Sequence, residues 1–181
     1  MNTDMLYEEY LAGNSQSLEK LMELYGDKLT LYINGYVDNL HDAEDLLIDV
    51  FAYLVDRRPN ISKNFNSYIY KAARNYALMF LRKRKRHIIL GENEIDFCIE
   101  HTFEDIIHIK ERNESLYQCM DKLNRAQKEA MYLVYIENMS YKEAASVLKK
   151  TVKQIDKLLQ LGKKNIKSLL EKEGIKNAFN E

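Results

Sequence analysis

The sequence predicts an all-α protein of two small helical domains joined by a linker, the second domain containing a helix-turn-helix. Only six glycines and one proline occur among 181 residues, so little interrupts regular helix. Apolar residues recur at steps of three and four through most of the chain, which is the period of an amphipathic helix. The charges are sorted into blocks, and an acidic stretch between two basic blocks marks the expected domain boundary.

Two amphipathic helices are predicted in the first 60 residues. Asn14 or Ser15 can cap the first helix, whose inward stripe is Leu18, Leu21, Met22, Tyr25 and Leu29. The second helix is "HDAEDLLIDVFAYLVD", with acidic residues in its first turn, where the helix dipole favours negative charge. Its apolar stripe is Leu46, Leu47, Val50, Phe51 and Leu54.

A loop and a long basic helix follow. The stretch "RRPNISKNFN" contains Pro59 and four Asn or Ser residues, which break the helical pattern. Asn66 or Ser67 can cap the next helix, which is predicted from Tyr68 to about Arg86. Its inward residues are expected to be Ile69, Ala72, Ala73, Tyr76 and Phe80.

Two capping boxes organise the C-terminal part. "SYKE" begins at Ser140 and "TVKQ" begins at Thr151, and in each a hydroxyl and an acid or amide side chain satisfy two backbone donors. The spacing leaves a short helix of about two turns, a tight turn and a longer helix, which is a helix-turn-helix. Its inner face is predicted to contain Ala144, Ala145, Leu148, Ile155, Leu159 and Ile166. An ordinary helical hairpin with a lysine-rich solvent face is the alternative.

Charge sorting indicates contact with a polyanion. Between Arg57 and His87 there are ten basic residues and no acidic one, although the whole chain has 27 basic and 28 acidic side chains. Residues 1–56 have twelve acidic side chains and two lysines. A near-neutral total therefore hides two basic surfaces, in residues 57–87 and in the C-terminal part, each a potential footprint for nucleic acid. A solvated charged face is the plainer alternative.

Several function classes lack support in the sequence. No apolar run of eighteen residues occurs and the N-terminus is acidic, so we expect a soluble, cytoplasmic protein without membrane insertion. Cys98 and Cys119 lack zinc-ligand spacing. The pairs His101/Asp105 and Glu104/His108 lack a third ligand at useful spacing. With no phosphate loop or nucleophile motif either, we predict no catalysis and no cofactor.

Three stretches in this order resemble a bacterial RNA polymerase sigma factor of the sigma-70 family: "DAEDLLIDVFAYL", "NSYIYKAARNYALMFLRKRKR" and "LNRAQKEAMYLVYIENMSYKEAASVLKKTVKQIDKLLQLGKKNIKSLL". The short two-domain layout is similar to the extracytoplasmic-function group. The resemblance implies a region-two-like domain over residues 1–87, an acidic linker over 88–113 and a region-four-like helix-turn-helix domain over 114–181. It implies core RNA polymerase and promoter DNA as partners, with an anti-sigma factor as a candidate partner.

The resemblance also implies roles for residues of the first domain. Contact with polymerase falls to Asp45, Leu46, Asp49, Val50 and Phe51. Recognition and opening of the minus-ten promoter DNA falls to Arg57, Arg58, Lys63, Asn64, Tyr68, Lys71, Arg74 and Asn75. The run Arg82, Lys83, Arg84, Lys85 and Arg86 would anchor upstream duplex through its phosphates. Tyr68 and Tyr70 are two apart on a helix, so at most one of them is expected to stack on a base, and a packing role is the alternative for either.

In the second domain the resemblance implies contact with the minus-thirty-five duplex. The implied DNA-binding residues are Tyr141, Thr151, Lys153, Gln154, Lys157, Lys163 and Lys164. Lys149 stands where the family usually has glycine. A helix-turn-helix regulator that binds duplex DNA without polymerase is the main alternative, and a protein-binding adaptor is another. The "DAEDLLIDVF" helix followed by a basic loop with aromatic residues favours the sigma factor, because duplex reading alone would not need both.

Overall fold

The computed structural model describes residues 2–61, 63–89 and 123–172, with side chains described except at 86–89 and 169–172. These ranges contain seven α-helices, one π-helical turn and no strand, which confirms the predicted all-α class. The helices are α1 (Thr3–Leu11), α2 (Ser15–Val37), α3 (Leu40–Arg57), α4 (Phe65–Ile89), α5 (Arg125–Met131), α6 (Tyr141–Leu148) and α7 (Val152–Lys172). The π-helical turn Tyr132–Ile136 continues α5.

The chain divides into two compact units, Met1–Ile106 and Ile107–Glu181. Residues 88 and 89 belong to the end of α4, so the long basic helix continues past its predicted end at Arg86. The rest of the predicted linker lies outside the described residues. The exact limits of the linker and of the two domains therefore stay a prediction.

The N-terminal unit is built around α2, which packs against α1, α3 and α4. Its core is rich in aromatic rings, and fully buried side chains include Tyr7, Leu21, Leu29, Ile33, Leu54, Phe65, Ile69 and Tyr70. The predicted cap at Asn14 is confirmed, since its side-chain oxygen accepts a hydrogen bond from the Gln16 amide at 3.1 Å. Asn39 caps α3 in the same way through the Asp42 amide at 2.9 Å.

The predicted stripe of α2 needs one correction. Met22 is 46% exposed, because at this level the buried side of the helix runs through Leu21 and Tyr25. Leu18 is half-buried. The helix instead continues its buried face through Ile33, four residues beyond the predicted end of the stripe at Leu29.

The start and the buried face of α4 also differ from the prediction. The helix begins at Phe65, so Asn66 and Ser67 lie in its first turn and neither is the residue before it. Tyr70 and Ala77 are fully buried, together with the predicted Ile69 and Ala73. The remaining predicted inward residues are only half-buried, namely Ala72, Tyr76 and Phe80. The buried seam is thus rotated toward Tyr70, which packs among the rings of α2.

In the C-terminal unit, α7 packs against both α5 and α6. The predicted inner residues are confirmed as buried: Ala144, Ala145, Leu148, Ile155, Leu159 and Ile166. Gly162 of α7 lies tightly against α5, since an added Cβ would lie 2.6 Å from the Met131 sulfur. Beside this contact the buried Gln127 accepts a hydrogen bond from the Asn165 side chain at 3.2 Å.

Both predicted capping boxes are present. The Ser140 hydroxyl accepts from the Glu143 amide, while the Glu143 carboxylate accepts from the Ser140 amide at 2.8 Å. The Thr151 hydroxyl accepts from the Gln154 backbone amide at 3.2 Å, and the Gln154 side-chain oxygen accepts from the Thr151 backbone amide at 2.8 Å. The turn between them forms with Lys149 in the left-handed region, at φ +54°.

Candidate nucleic-acid and polymerase interface

The loop at residues 58–64 joins α3 to α4, and four of its six described residues are exposed, namely Arg58, Asn60, Lys63 and Asn64. Its two ends are in the left-handed region, with φ +42° at Arg58 and +62° at Asn64. The predicted DNA-binding residues Arg57, Lys63 and Asn64 are all exposed here. Arg57 also pairs with Asp56 at 3.1 Å, but both side chains are more than two-thirds exposed, so a phosphate can compete for the guanidinium.

Three side chains from α1 contact this loop. The Tyr7 hydroxyl donates to the Pro59 carbonyl at 2.8 Å. The Asp4 carboxylate accepts from the Asn64 amide at 3.1 Å and from the Phe65 amide at 2.7 Å. These contacts tie both ends of the loop to one helix.

The third of these side chains is Tyr10, which contacts Arg58. Its guanidinium carbon lies 5.4 Å from the centre of the Tyr10 ring, which is within the range of a cation–π interaction. Arg58 remains exposed, so its charge still faces solvent. The predicted phosphate-binding residue therefore has a supported side chain and an open outer face.

Next to the loop, three tyrosines form a half-buried aromatic patch. The patch is Tyr53 from α3 with Tyr68 and Tyr76 from α4. The Tyr68 hydroxyl donates to the Tyr53 hydroxyl at 3.4 Å, and the rings of Tyr53 and Tyr76 meet edge to face with centroids 6.3 Å apart. Burial, and then the bond to Tyr53, raise the pKa of Tyr68 above its ordinary value, so its hydroxyl stays protonated further into alkaline pH than that of an exposed tyrosine.

Tyr70 has a different role. It is completely buried, and its ring packs edge-on against Tyr25 and Tyr32. The choice left open for Tyr68 and Tyr70 is therefore settled for Tyr70, which belongs to the core. Tyr53 was not among the predicted site residues, because nothing in the sequence shows that its ring meets α4.

The rest of the predicted basic surface follows α4. Asn75 and the run Arg82 to Lys85 are exposed, while Lys71 and Arg74 are half-buried. The side chain of Arg86 lies outside the described part of the chain. Within it, α4 presents a row of cations beyond the aromatic patch, without an acid in the same helix.

The predicted polymerase-binding set divides into two groups. Leu46, Val50 and Phe51 are 5%, 0% and 4% exposed, so they pack in the core and cannot face a partner protein. Asp45 and Asp49 are exposed on the opposite side of α3. Apolar side chains exposed on that side include Ile48, which is 65% exposed, and Val55, which is 48% exposed.

On α7, lysines lie opposite the buried face. Lys153, Lys157 and Lys164 are exposed, and their spacing of four and seven residues puts them on one ridge of the helix. Thr151 and Gln154 are also exposed, but the Gln154 amide oxygen accepts the bond from the Thr151 amide. The ridge supplies positive charge, while Gln154 forms part of the capping box at the start of the helix.

Lys163 lies to one side of this ridge, against Tyr135 of the π-helical turn. Its ammonium is 5.0 Å from the centre of the Tyr135 ring. A hydrogen bond with Tyr135 raises the pKa of Lys163. Tyr141 completes the cluster, since partial burial and then Tyr135 raise the pKa of its phenol. Tyr135 is not among the site residues predicted from the sequence, because the π-helical turn that places it beside Lys163 is visible only in the structure. Such turns often occur at functional sites.

Neither a metal site nor a membrane-spanning helix is found in the described part of the chain. No three His, Cys, Asp or Glu side chains come together there as a metal site would require. None of the helices described has the length and apolar character needed to cross a membrane. The pairs His101/Asp105 and Glu104/His108 lie outside the described residues, as do Cys98 and Cys119.

The fold and its two basic surfaces define a two-unit helical DNA-binding protein, and comparison with known families identifies which kind. The family model for sigma-70 region 2 matches residues 21–87, and that for sigma-70 region 4 matches residues 113–166. Together they span well over half of the chain. The chain belongs to the sigma-70 family, so it is a sigma factor that binds core RNA polymerase and directs promoter-specific initiation of transcription.

Similar proteins in bacteria confirm the predicted extracytoplasmic-function group. The ECF sigma factor SigM of Bacillus subtilis (strain 168) is 23% identical over 155 residues, covering 84% of this chain and 94% of SigM. The ECF sigma factor SigW of the same strain is 22% identical over 170 residues, covering 87% and 91%.

Two solved structures share the fold. One is CnrH in complex with the cytosolic domain of CnrY, with 17% identity, a TM-score of 0.62 and coverage of 93% of this chain and 96% of CnrH. The other is the sigma factor RpoE in complex with the anti-sigma factor NepR from Bartonella quintana, with 18% identity, a TM-score of 0.63 and coverage of 84% and 96%.

Proposed function

We propose that the two units divide promoter recognition between them. Residues 1–87 bind core polymerase and open the minus-ten DNA, and residues 114–181 bind the minus-thirty-five duplex. The observation that carries this division is the exposure of one basic surface on each unit, along the loop and α4 in the first and along α7 in the second. Each surface lies within residues matched by a sigma-70 region.

In the first unit, the loop and the aromatic patch suit melted DNA. Exposed Arg57, Arg58 and Lys63 meet phosphates, and the patch formed by Tyr53, Tyr68 and Tyr76 offers ring surface for an unstacked base. Beyond the patch, the exposed cations of α4 contact upstream duplex without reading its sequence. Cationic and aromatic groups side by side are what single-stranded DNA requires.

In the second unit, the ridge of α7 enters the major groove. Lys153 and Lys157 are in the first two turns of the helix, which are the turns that a recognition helix brings to base edges and phosphates. Tyr141 and Lys163 contact the flanking backbone from the cluster around Tyr135. Thr151 and Gln154 fix the start of the helix and so its entry angle.

Polymerase is bound by the exposed side of α3. We assign the contact to Asp45 and Asp49 with the exposed Ile48 and Val55, in place of the buried Leu46, Val50 and Phe51. Apolar side chains bordered by carboxylates suit a partner surface that is apolar with a basic rim.

The setting follows from this function. The protein acts in the cytoplasm, where promoter DNA and polymerase are found, and it neither catalyses a reaction itself nor holds a cofactor. An anti-sigma factor is a further candidate partner, supported by the likeness to RpoE, which was solved with one. Co-purification of the chain from its own host would test this partner, and recovery with polymerase alone would count against it.

Transcription in vitro tests the proposal. Core polymerase free of other sigma factors is combined with this protein and the source genome, and new RNA starts are mapped. Starts that share two upstream motifs are expected. Their absence, with active polymerase and folded protein, would instead favour a regulator that binds duplex DNA alone.

A charge variant then tests the second unit at a mapped promoter. Lys157→Ala should weaken holoenzyme binding and reduce the slope of log affinity against log salt by about 1, because one phosphate contact is lost. Lys20→Ala is the matched control, since Lys20 is exposed on α2 in the acidic part of the chain. Equal slopes for the two variants would exclude Lys157 from the DNA contact.

A further inference from the structure

We propose that Asp4 and Tyr7 of α1 are positioning residues, which hold the loop at residues 58–64 in the shape that opens promoter DNA. This inference rests on the strand-opening role proposed for the loop. The two residues are three apart, so they lie on one face of α1. Helix α1 precedes residues 21–87, which match the region 2 family model. The proposal therefore gives a functional role to residues outside that match.

Asp4 caps α4 from a different helix. Its carboxylate oxygens accept from the Asn64 and Phe65 amides, at 3.1 and 2.7 Å, at the point where α4 begins. These amides are among the first donors of a helix, which have no partner within the helix itself. The first turn of α4 contains no acidic residue, so Asp4 supplies the negative charge that the positive end of the helix dipole favours.

Tyr7 fixes the other end of the loop. Its hydroxyl donates to the Pro59 carbonyl at 2.8 Å, and its ring, which is fully buried, stacks on Phe65 with centroids 4.7 Å apart. One side chain thus joins the start of the loop to the residue that follows it. Burial raises the pKa of Tyr7 to about 12, so the phenol keeps its proton and its bond to Pro59 well above pH 10, where an exposed tyrosine ionises.

The loop needs such support because of its backbone. Arg58 and Asn64, at its two ends, have positive φ values of 42° and 62°, a conformation that residues other than glycine seldom adopt. Strained conformations persist where surrounding contacts hold them, and they are concentrated at functional sites. A loop held in shape before DNA arrives loses less conformational freedom when it captures a strand.

The test separates DNA binding from DNA opening. Holoenzyme is assembled on a mapped promoter that contains 2-aminopurine in the minus-ten region, and closed-complex affinity and opening rate are measured separately. Tyr7→Phe keeps the buried ring and removes only the hydroxyl. We expect opening to slow about three- to tenfold, the range for loss of one hydrogen bond, with closed-complex affinity unchanged.

Asp4 is tested by graded variants. Asp4→Ala removes both acceptors and should slow opening about tenfold or more. Asp4→Asn keeps one oxygen acceptor without the charge, so its rate should lie between those of Asp4→Ala and the wild type. Rates are expressed per active holoenzyme, so that incomplete folding of a variant does not count as slow opening.

Tyr32→Phe is the matched control for a purely structural effect. Tyr32 is buried in the same unit, and its hydroxyl lies 3.5 Å from that of Tyr36, away from the loop contacts. This variant should open DNA at the wild-type rate. If Tyr7→Phe and Asp4→Ala opened DNA as fast as the wild type, or if Tyr32→Phe were slowed as much, the positioning role would be refuted. Failure of the wild type itself to open DNA would instead refute the proposed function.

Discussion

The hydroxyl of Tyr68 donates to the hydroxyl of Tyr53 across α4 and α3, at 3.4 Å. This bond fixes the orientation of a ring that lies beside the exposed basic loop, and Tyr76 supports Tyr53 from α4. A ring that is already held in place loses little freedom when a base stacks on it. The patch is therefore better prepared for an unstacked base than a freely rotating surface tyrosine would be.

Removing the Tyr68 ring should weaken the grip on melted DNA. Tyr68→Leu keeps apolar volume but removes the stacking face, which is worth about 1 to 3 kcal/mol per base. Fluorescence anisotropy of holoenzyme with a labelled single-stranded minus-ten oligonucleotide measures the loss. Tyr70→Phe is the control, because Tyr70 is fully buried and cannot reach DNA. Unchanged affinity of Tyr68→Leu would exclude Tyr68 as a stacking platform.

Two substitutions on α3 distinguish core from interface. Phe51→Ala removes a ring that is 4% exposed, so it should lower the free energy of unfolding by about 3 to 5 kcal/mol. Ile48→Asp changes a side chain that is 65% exposed, so stability should change by only about 0.5 kcal/mol or less while core polymerase binds more weakly. Urea unfolding and competition for core polymerase measure the two effects. If Ile48→Asp competed for core polymerase as well as the wild type does, Ile48 would not belong to the docking surface.

Local signals explain why much of the fold could be predicted. The caps at Asn14, Ser140 and Thr151 depend on side chains within three residues of the helix start, so sequence alone identifies them. The inner face of the helix-turn-helix follows from its period of three and four residues. Such features involve neighbours along the chain and need no knowledge of how helices pack.

The errors arise where distant segments meet. Helix α4 starts at Phe65, where Asp4, about sixty residues earlier, accepts bonds from the Asn64 and Phe65 amides, and no local pattern shows this. Tyr53 joins the site only because α3 packs against α4. The family resemblance assigns the apolar residues Val50 and Phe51 to polymerase, but both are buried, as an apolar stripe on an amphipathic helix usually is in the core of its own domain.

Two glycines in helices should respond in opposite ways to alanine. Gly26 in α2 has open space where a Cβ would be, so Gly26→Ala should raise the free energy of unfolding by about 0.5 to 1 kcal/mol. At Gly162 the new Cβ would lie 2.6 Å from the Met131 sulfur, so overpacking should outweigh the helix gain and lower stability by about 1 kcal/mol. Urea unfolding followed by circular dichroism measures both. If both variants were stabilised equally, the Met131 side chain of α5 would have moved aside without cost.

Glycine at position 149 should stabilise the helix-turn-helix. Lys149 ends α6 at φ +54°, where a side chain is unfavourable and glycine is not, so Lys149→Gly should add about 0.5 to 1 kcal/mol. Lys150→Gly removes the same charge at a position without positive φ, and it should not stabilise the unit. Thermal unfolding of both variants provides the comparison. Stabilisation by both would point to charge repulsion as the cause.

The N-terminal unit should lose stability at alkaline pH. Burial raises the pKa of Tyr7 from 10.0 to about 12, and burial also raises the pKa of Tyr68 and Tyr76. The unfolded chain therefore releases these protons at lower pH than the folded chain does. Stability from this source is complete below about pH 10 and is lost as pH rises toward 12, with Tyr7 alone accounting for about 2 to 3 kcal/mol.

Urea midpoints at a series of pH values from 8 to 12 measure this loss, with Tyr7→Phe as the reference. The variant should be the less stable protein at pH 8, because it lacks the bond to Pro59, and its stability should decline less steeply above pH 10. Ionisation of the buried phenol costs the wild type about 2 to 3 kcal/mol, which is more than the roughly 1 kcal/mol of the bond that the variant lacks, so the two stability curves should converge above pH 10 and cross as pH approaches 12. Parallel curves would show that Tyr7 does not link proton release to unfolding.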